Sequence, residues 1–154
     1  MKVLFVCLGN ICRSPTAHGV FVHHLKNSEL AGRVEVDSAG TGAWHAGEPP
    51  DKRAQQEAQS RGIDLSFIRA RQVNAEDFER FDMILAMDKQ NLRDLRAVCP
   101  EVHQHKLRLF LEFGDTGTQE VPDPYYGGSK GFQHVFDLVD QTSLGLLETL
   151  RRKV

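Results

Sequence analysis

Short apolar runs and longer amphipathic runs alternate along this chain. Clusters of apolar, β-branched and aromatic residues predict strands over 2–7, 33–37, 83–86 and 106–109. Apolar residues at helical spacing predict helices over 15–29, 52–61, 75–81, 89–98 and 131–151. The last helix has the clearest pattern, and we interpret its apolar stripe as core packing. That stripe contains Phe132, Val135, Phe136, Val139, Leu146, Leu147 and Leu150.

Alternating strands and helices are typical of α/β proteins. The pattern predicts an open four-stranded, mainly parallel sheet with helices on both faces, and a ligand at the carboxyl ends of the strands. No repeat, linker or low-complexity stretch interrupts the pattern, so we expect residues 1–154 to form a single domain.

Composition, charge and the lengths of the apolar runs argue against several classes of function. The 154 residues carry a net charge of −2, which gives no general attraction to nucleic acid or to acidic membranes. The cysteines number 3, which argues against a disulfide framework, and no spacing of Cys or His predicts a metal site, so we expect no metal or other cofactor. No apolar stretch is long enough to cross a membrane, and the N-terminal run is too short for a secretory signal. We therefore expect a cytoplasmic protein without membrane insertion.

The segment after the first strand carries the most informative residues, Cys7-Leu8-Gly9-Asn10-Ile11-Cys12-Arg13-Ser14-Pro15. Ser14 can cap the following helix, with Pro15 in its first position. Free amides and the helix dipole at such a start attract anions and favour the thiolate of Cys7. The planar Arg13 guanidinium can bind two oxygens of a tetrahedral oxyanion. The alternative is that Cys7 only ends a buried strand and Arg13 only begins a surface helix.

Other residues of the loop suit the same purpose. Gly9 allows the backbone to turn inward and expose its amides, and Asn10 tolerates left-handed geometry. Ser14 can also donate its hydroxyl to the Cys7 thiolate, so its role as donor or as helix cap stays open. Cys12 is either a small packed residue or a partner that captures an oxidised Cys7 as a disulfide.

Two further loops carry candidate residues. Prolines flank Asp123 and glycines follow it, so its carboxyl is either a general acid or a turn residue. Tyr125 and Tyr126 lie in the same loop, where aromatic residues are more informative than on a core face. Trp44, the only tryptophan, lies in the Gly-rich segment 40–47 and is either a ligand contact or a core residue.

The chain resembles the low-molecular-weight protein tyrosine phosphatase family in its N-terminal loop. Further segments match the family in the family's order, so the resemblance covers nearly the whole chain. These segments are Asp37–Thr41, Ala70–Gln72, Ala86–Asp88, Asn91–Leu95 and Asp123–Tyr126. The resemblance implies a flavodoxin-like three-layer α/β fold and an enzyme that hydrolyses phosphotyrosine and other aryl phosphates through a cysteinyl-phosphate intermediate.

The resemblance also assigns roles to residues. Cys7 becomes the nucleophile, Arg13 binds phosphate, and Asp123 is the general acid and later the base. Ser38 and Asn10 are expected to brace the loop. Asp88 is expected to orient Arg13, although it can instead be the N-cap of the next helix. The substrate is expected to contact Leu8, Gly9, Asn10, Ile11, Cys12, Ser14, Trp44, Tyr125 and Tyr126.

Ile11 is expected to form the apolar floor of a cleft whose walls are Trp44 and Tyr125. Such a floor suits an aromatic ring better than a guanidinium. This weighs against the protein-arginine phosphatase branch of the family, where a threonine is expected at this position.

The chain departs from the family at two positions. His18 stands where a glutamate is often found, and Ile68 stands where a histidine usually precedes x-Ala-Arg-Gln. Both positions belong to the network around the pocket. We therefore expect the pKa of the nucleophile and the rigidity of the loop to differ from those of other family members. The other six histidines, at 23, 24, 45, 103, 105 and 134, are expected to be solvated surface residues.

Two other functions remain as alternatives. A thiol-linked arsenate reductase uses a similar loop but needs a relay of cysteines, and only Cys99 lies outside the loop. A phosphate- or phosphopeptide-binding module needs neither a thiolate nor Asp123. The expected partners are tyrosine-phosphorylated proteins, and we expect a monomer in which Trp44 and the tyrosines could support weak self-association.

Overall fold

The computed structural model describes residues 1–125 and 127–154. Four strands form one sheet: β1 (Lys2–Cys7), β2 (Glu35–Gly40), β3 (Met83–Ala86) and β4 (Leu107–Leu109). The five α-helices in the described part of the chain are α1 (Arg13–Lys26), α2 (Lys52–Ser60), α3 (Ala75–Arg80), α4 (Lys89–Val98) and α5 (Ser129–Lys153). Short 3₁₀ helices at Glu101–Lys106 and Phe110–Phe113 flank β4.

The sheet has the strand order β2-β1-β3-β4, and each of these neighbouring pairs is parallel. The predicted α/β fold with helices on both faces is therefore confirmed. Because the strands run the same way, their carboxyl ends meet at one edge. Cys7 is the last residue of the central strand β1, so the chain places it at that edge.

Two apolar layers cover the sheet, as the alternation of side chains along β1 requires. Val3, Phe5 and Cys7 face a core built with α1, α2 and α5. Leu4 and Val6 face a second core built with α3 and α4. The predicted apolar stripe of α5 is buried along its whole length. No helix in residues 1–125 and 127–154 combines the length and apolarity needed to cross a membrane.

Several predicted boundaries were wrong by a few residues. The predicted strand over 33–37 lies at Glu35–Gly40, because β2 pairs with β1 along its full length, from Lys2 opposite Glu35 to Cys7 opposite Gly40. The first helix begins at Arg13 rather than 15 and ends at Lys26 rather than 29. The last helix extends from Ser129 to Lys153 instead of 131–151. Strand β1, strand β3 and helix α4 have their predicted bounds.

Candidate active site

The loop over residues 8–12 wraps around the Cys7 sulfur. The side chain is almost fully buried, and Sγ accepts the backbone N–H of Asn10 at 3.3 Å. Sγ also lies 3.0 Å from Ser14 Oγ in a hydrogen bond. The backbone of Asn10 has a φ of +57°, a left-handed conformation that asparagine tolerates better than most residues. The turn at Asn10 therefore aims a backbone amide at the Cys7 sulfur.

Asn10 also stabilises the loop through its side chain. Its Nδ2 donates to Ser14 Oγ at 2.8 Å, and its Oδ1 accepts the backbone N–H of Arg71 at 3.1 Å. Ser38, expected to brace the loop together with Asn10, instead places its hydroxyl 2.9 Å from Nδ1 of His18. The loop is thus tied to the segment at Arg71 through Asn10, while Ser38 pairs with helix α1.

Ser14 does not cap helix α1, one of the two roles left open for it. The helix begins at Arg13 with Cys12 in the N-cap position, and no side chain provides a cap hydrogen bond there. Ser14 is already inside the helix, fully buried, with its hydroxyl engaged by Cys7 and Asn10. Ser14 therefore has the other role considered for it, a hydrogen bond with the Cys7 sulfur.

Hydrogen bonds to two distant segments of the chain hold the Arg13 guanidinium in place. Its Nη1 donates to Asp88 Oδ2 at 2.6 Å and to the carbonyl of Val121 at 3.0 Å. Burial by itself would lower the pKa of Arg13, but the Cys7 sulfur and Asp88 outweigh burial and raise it. Asp88 also accepts the backbone N–H of Asn91 at 2.7 Å as the N-cap of α4, so both roles expected for it occur together.

Asp123 lies across the cleft from the loop. Its Oδ2 is 3.8 Å from Arg13 Nη2, and its Oδ1 accepts the backbone N–H of Tyr125 at 3.0 Å. The carboxyl is 44% exposed, so a bound molecule and water can both reach it. Its oxygen and the Arg13 guanidinium therefore face the same space.

These groups line one cleft of about 240 Å³. Its floor is the Cys7 loop, and its walls come from the segments around Trp44 and Asp123. The lining residues are Cys7, Leu8, Gly9, Ile11, Cys12, Arg13, Trp44, His45, Asp123 and Tyr125. Trp44 is 71% exposed, which excludes the alternative that it is a core residue. Tyr126, also expected at this site, lies outside the described residues.

Known proteins are similar to this chain in sequence and fold. The sequence model of the family described as low molecular weight phosphotyrosine protein phosphatase matches residues 2–154. The chain belongs to this family. A phosphatase of that name from Schizosaccharomyces pombe is 46% identical, with 91% of each chain covered. The crystal structure of a protein tyrosine phosphatase from Entamoeba histolytica, with Hepes in its active site, has a TM-score of 0.96 and 42% identity, covering 99% of this chain and 98% of that one.

A more distant relative of known structure is Vibrio vulnificus Wzb in complex with benzylphosphonate. It has a TM-score of 0.85 and 31% identity, covering 96% of this chain and 97% of that one. The resemblance to the tyrosine phosphatase family that the N-terminal loop indicates is therefore confirmed over nearly the whole chain.

The two positions where this phosphatase departs from the family pattern are both buried. Ile68 belongs to the apolar core on the face of the sheet that α1, α2 and α5 cover. Burial lowers the pKa of His18 from 6.5 to about 4. The charge of Asp37 opposes this decrease in pKa, and the charge of Arg71 adds to it. His18 therefore stays neutral at physiological pH, and its bond to Ser38 involves no charge.

Two of the remaining histidines, all expected to be solvated surface residues, are partly buried and have acidic partners. His45 lines the cleft of this phosphatase, and its Nδ1 lies 2.5 Å from Glu48. His24 similarly pairs with Asp140 at 2.7 Å. The sequence signal for His45 was its place directly after Trp44 in the Gly-rich segment.

Cys12 and Cys99 differ in their position relative to Cys7. All three cysteines are free. Burial, with Asp51 and Cys7 nearby, raises the pKa of the Cys12 thiol, so Cys12 stays protonated. Cys99 belongs to the apolar layer on the opposite face of the sheet from Cys7. Capture of an oxidised Cys7 by Cys12 stays a prediction.

Proposed function

We propose that this phosphatase hydrolyses phosphotyrosine and other aryl phosphate monoesters through a phosphate ester of Cys7. The observation that carries the proposal is that one cleft is lined by a buried cysteine, a buried arginine and an accessible carboxyl group. These three groups supply a nucleophile, a positive charge for the phosphate oxygens, and a proton donor.

In the first step, the Cys7 thiolate attacks phosphorus and forms an S–P bond as the bond from phosphorus to the aryl oxygen breaks. Asp123, carrying a proton, transfers it to the departing phenol oxygen. The loop amides and Arg13 stabilise the equatorial oxygens. Asp88 and the Val121 carbonyl hold Arg13 through Nη1, which leaves the Nη2 side of the guanidinium facing the cleft.

In the second step, water attacks phosphorus and the S–P bond breaks. The Asp123 carboxylate takes a proton from that water, and inorganic phosphate and the Cys7 thiolate are released. Ser14 Oγ, 3.0 Å from the sulfur, stabilises the thiolate both as nucleophile and as leaving group. Because Arg13 and the loop amides supply the positive charge, this route requires no metal.

Aromatic and apolar side chains around the cleft support an aryl substrate. Trp44 and Tyr125 expose aromatic rings at its rim, and Ile11 adds an apolar surface between them. Such rings pack on a flat phenyl group at a modest gain of about 0.5–1.5 kcal/mol. The benzylphosphonate bound by the related Wzb is similar in shape to an aryl phosphate, since it also carries a flat phenyl ring.

The alternative functions find less support. Cys99 lies in the layer on the far side of the sheet, so it offers no relay to Cys7 for arsenate reduction. A pure binding module would have no use for a carboxyl opposite the buried sulfur. We further propose that residues 1–154 act as a single domain and a monomer in the cytoplasm, a reducing compartment in which free cysteines such as these persist.

The test is metal-free hydrolysis by wild type, Cys7→Ser and Asp123→Ala. The substrates are p-nitrophenyl phosphate and matched peptides carrying phosphotyrosine, phosphoserine or phosphoarginine. We expect turnover of the aryl phosphates that is abolished by Cys7→Ser. Asp123→Ala should reduce it by roughly 10²-fold or more for the phosphotyrosine peptide, and less for p-nitrophenyl phosphate, whose leaving group depends less on a proton donor. An inactive wild type with a reduced Cys7 would refute the proposal and favour arsenate reduction or phosphate binding.

A further inference from the structure

Arg53, the second residue of α2, reaches into the loop that carries Asp123. Its Nη2 donates to the carbonyl of Tyr125 at 2.8 Å, and its Nη1 donates to the carbonyl of Gly127 at 3.3 Å. Its guanidinium also lies over the ring of Tyr125, with a distance of 5.6 Å from Cζ to the ring centre. One side chain therefore contacts the backbone on the downstream side of this loop at two residues.

The same guanidinium is anchored on Asp51, the N-cap of α2. Arg53 Nε donates to Asp51 Oδ1 and Nη2 to Oδ2, each at 3.1 Å. Burial would raise the pKa of Asp51, but the hydrogen bonds from Arg53 outweigh burial and lower it. The carboxylate therefore stays charged and fixes the orientation of the guanidinium plane.

Asp51 connects this anchor to the Cys7 loop. Its backbone N–H donates to the carbonyl of Ile11 at 2.8 Å. The start of α2 thus bonds to the phosphate-binding loop through Asp51 and to the Asp123 loop through Arg53. The cation-π contact of Arg53 with Phe132 of α5, at 4.7 Å, holds the arginine side chain from a further direction.

We propose that Arg53 is a positioning residue that holds Asp123 at the correct distance from the Cys7 loop for proton transfer. The inference rests on the proposed function, since it assumes that Asp123 is the general acid. The path is short: Arg53 binds the Tyr125 carbonyl, and the Tyr125 N–H binds Asp123 Oδ1 at 3.0 Å. Lysine cannot replace this arrangement, because a single ammonium lacks the planar fork that reaches a carboxylate and two carbonyls together.

Arg61 provides a matched control at the other end of α2. Its guanidinium lies over Phe136 of α5 at 4.4 Å and pairs with Glu57 at 2.9 Å and Asp137 at 2.6 Å. It therefore joins the same two helices with the same kinds of contact, but its partners lie outside both active-site loops. Arg61→Gln reports the effect of loosening α2 from α5 without touching the Asp123 loop.

The experiment compares the leaving-group dependence of kcat/KM in wild type, Arg53→Gln, Arg53→Lys and Arg61→Gln. Phenyl phosphate needs a proton donor for its basic leaving group, whereas p-nitrophenyl phosphate depends on one much less. We expect Arg53→Gln to lower kcat/KM roughly 10-fold for phenyl phosphate and less than about 3-fold for p-nitrophenyl phosphate. Arg53→Lys should fall in between, and Arg61→Gln should keep the wild-type ratio of the two substrates.

Two further measurements separate positioning from general loss of structure. Competitive inhibition by inorganic phosphate should change less than about 2-fold in Arg53→Gln, because the backbone bond from Asp51 to Ile11 remains. In an Asp123→Asn background, Arg53→Gln should have no further effect on the substrate ratio, since the group it positions is already lost.

An unchanged substrate ratio in Arg53→Gln, or an equal change in Arg61→Gln, would overturn the role of Arg53 and leave the proposed function intact. An additive effect of Arg53→Gln and Asp123→Asn would do the same. A wild type that hydrolyses neither aryl phosphate would instead overturn the proposed function, and the inference about Arg53 with it.

Discussion

His18 makes the stability of this protein depend on pH in a way that one substitution can isolate. The imidazole is 7% exposed, its Nδ1 bonds Ser38 Oγ at 2.9 Å, and the Phe67 ring packs edge-on against it at 5.3 Å. Burial disfavours the charged form, so the pKa falls from 6.5 to about 4 in the folded protein. Asp37 raises this pKa and Arg71 lowers it, so the two charges act in opposite directions.

The unfolded chain takes up this proton near pH 6.5, whereas the folded protein takes it up only near pH 4. The unfolded state thus binds more protons in this window, and stability falls as the pH is lowered through it. At 1.36 kcal/mol for each pH unit between the two pKa values, the loss reaches about 2 kcal/mol by pH 5 and about 3 kcal/mol by pH 4. Above pH 7 the contribution is constant.

The assay is urea unfolding of wild type and His18→Gln at intervals from pH 7.5 to pH 4.5. Glutamine keeps a polar group near Ser38 but does not titrate, so the difference between the two curves isolates His18. We expect the free energy of unfolding of wild type to fall relative to the variant by about 2 kcal/mol between pH 7 and pH 5. Curves that stay parallel to within about 0.5 kcal/mol would refute the assignment of a buried neutral His18.

Two further predictions concern packing and the cleft. Ala at Gly145 would place its Cβ 1.8 Å from the Phe113 carbonyl oxygen, so Gly145→Ala should cost about 2 kcal/mol or more in urea unfolding, although this change usually stabilises a helix. Gly131→Ala in the same helix, with 3.5 Å to Pro124, is the control and should not destabilise; equal effects would contradict the steric argument. Trp44→Ala should leave stability within about 0.5 kcal/mol, since the side chain is 71% exposed, and raise the KM for p-nitrophenyl phosphate roughly 2- to 10-fold. An unchanged KM would exclude a contact between Trp44 and the bound substrate.

The Cys7 loop was predictable because its groups are contiguous in the chain. A strand, a loop with Gly9 and Asn10, and a helix start must bring Cys7 and Arg13 to one place, whatever the rest of the fold. The left-handed backbone of Asn10 follows from the same local reasoning. Which role Ser14 plays was not predictable, because its hydroxyl is equally suited to a helix cap and to the sulfur.

Residues that act through distant contacts were harder to find. His45 reaches the cleft only because segment 40–47 folds over the Cys7 loop, which brings the ring to 3.0 Å from the position a Cβ on Gly9 would take. No sequence motif surrounds Arg53. The role proposed for it depends on hydrogen bonds to carbonyl groups that lie 72 and 74 residues away in the chain. Side chains that bind backbone carbonyls leave no pairing signal in the sequence, since any residue offers a carbonyl.

Local periodicity and a contiguous motif thus determined the α/β class, the order of elements and the loop that brings Cys7 and Arg13 together. Those features depend on neighbours along the chain, whose geometry is set by backbone and helix periodicity. Tertiary structure alone decided that β2 extends to Gly40, that His18 is buried and neutral, and that the start of α2 joins the loops of Cys7 and Asp123 through Asp51 and Arg53. Each of these depends on burial or on contacts between distant segments, which only the packed sheet and helices create.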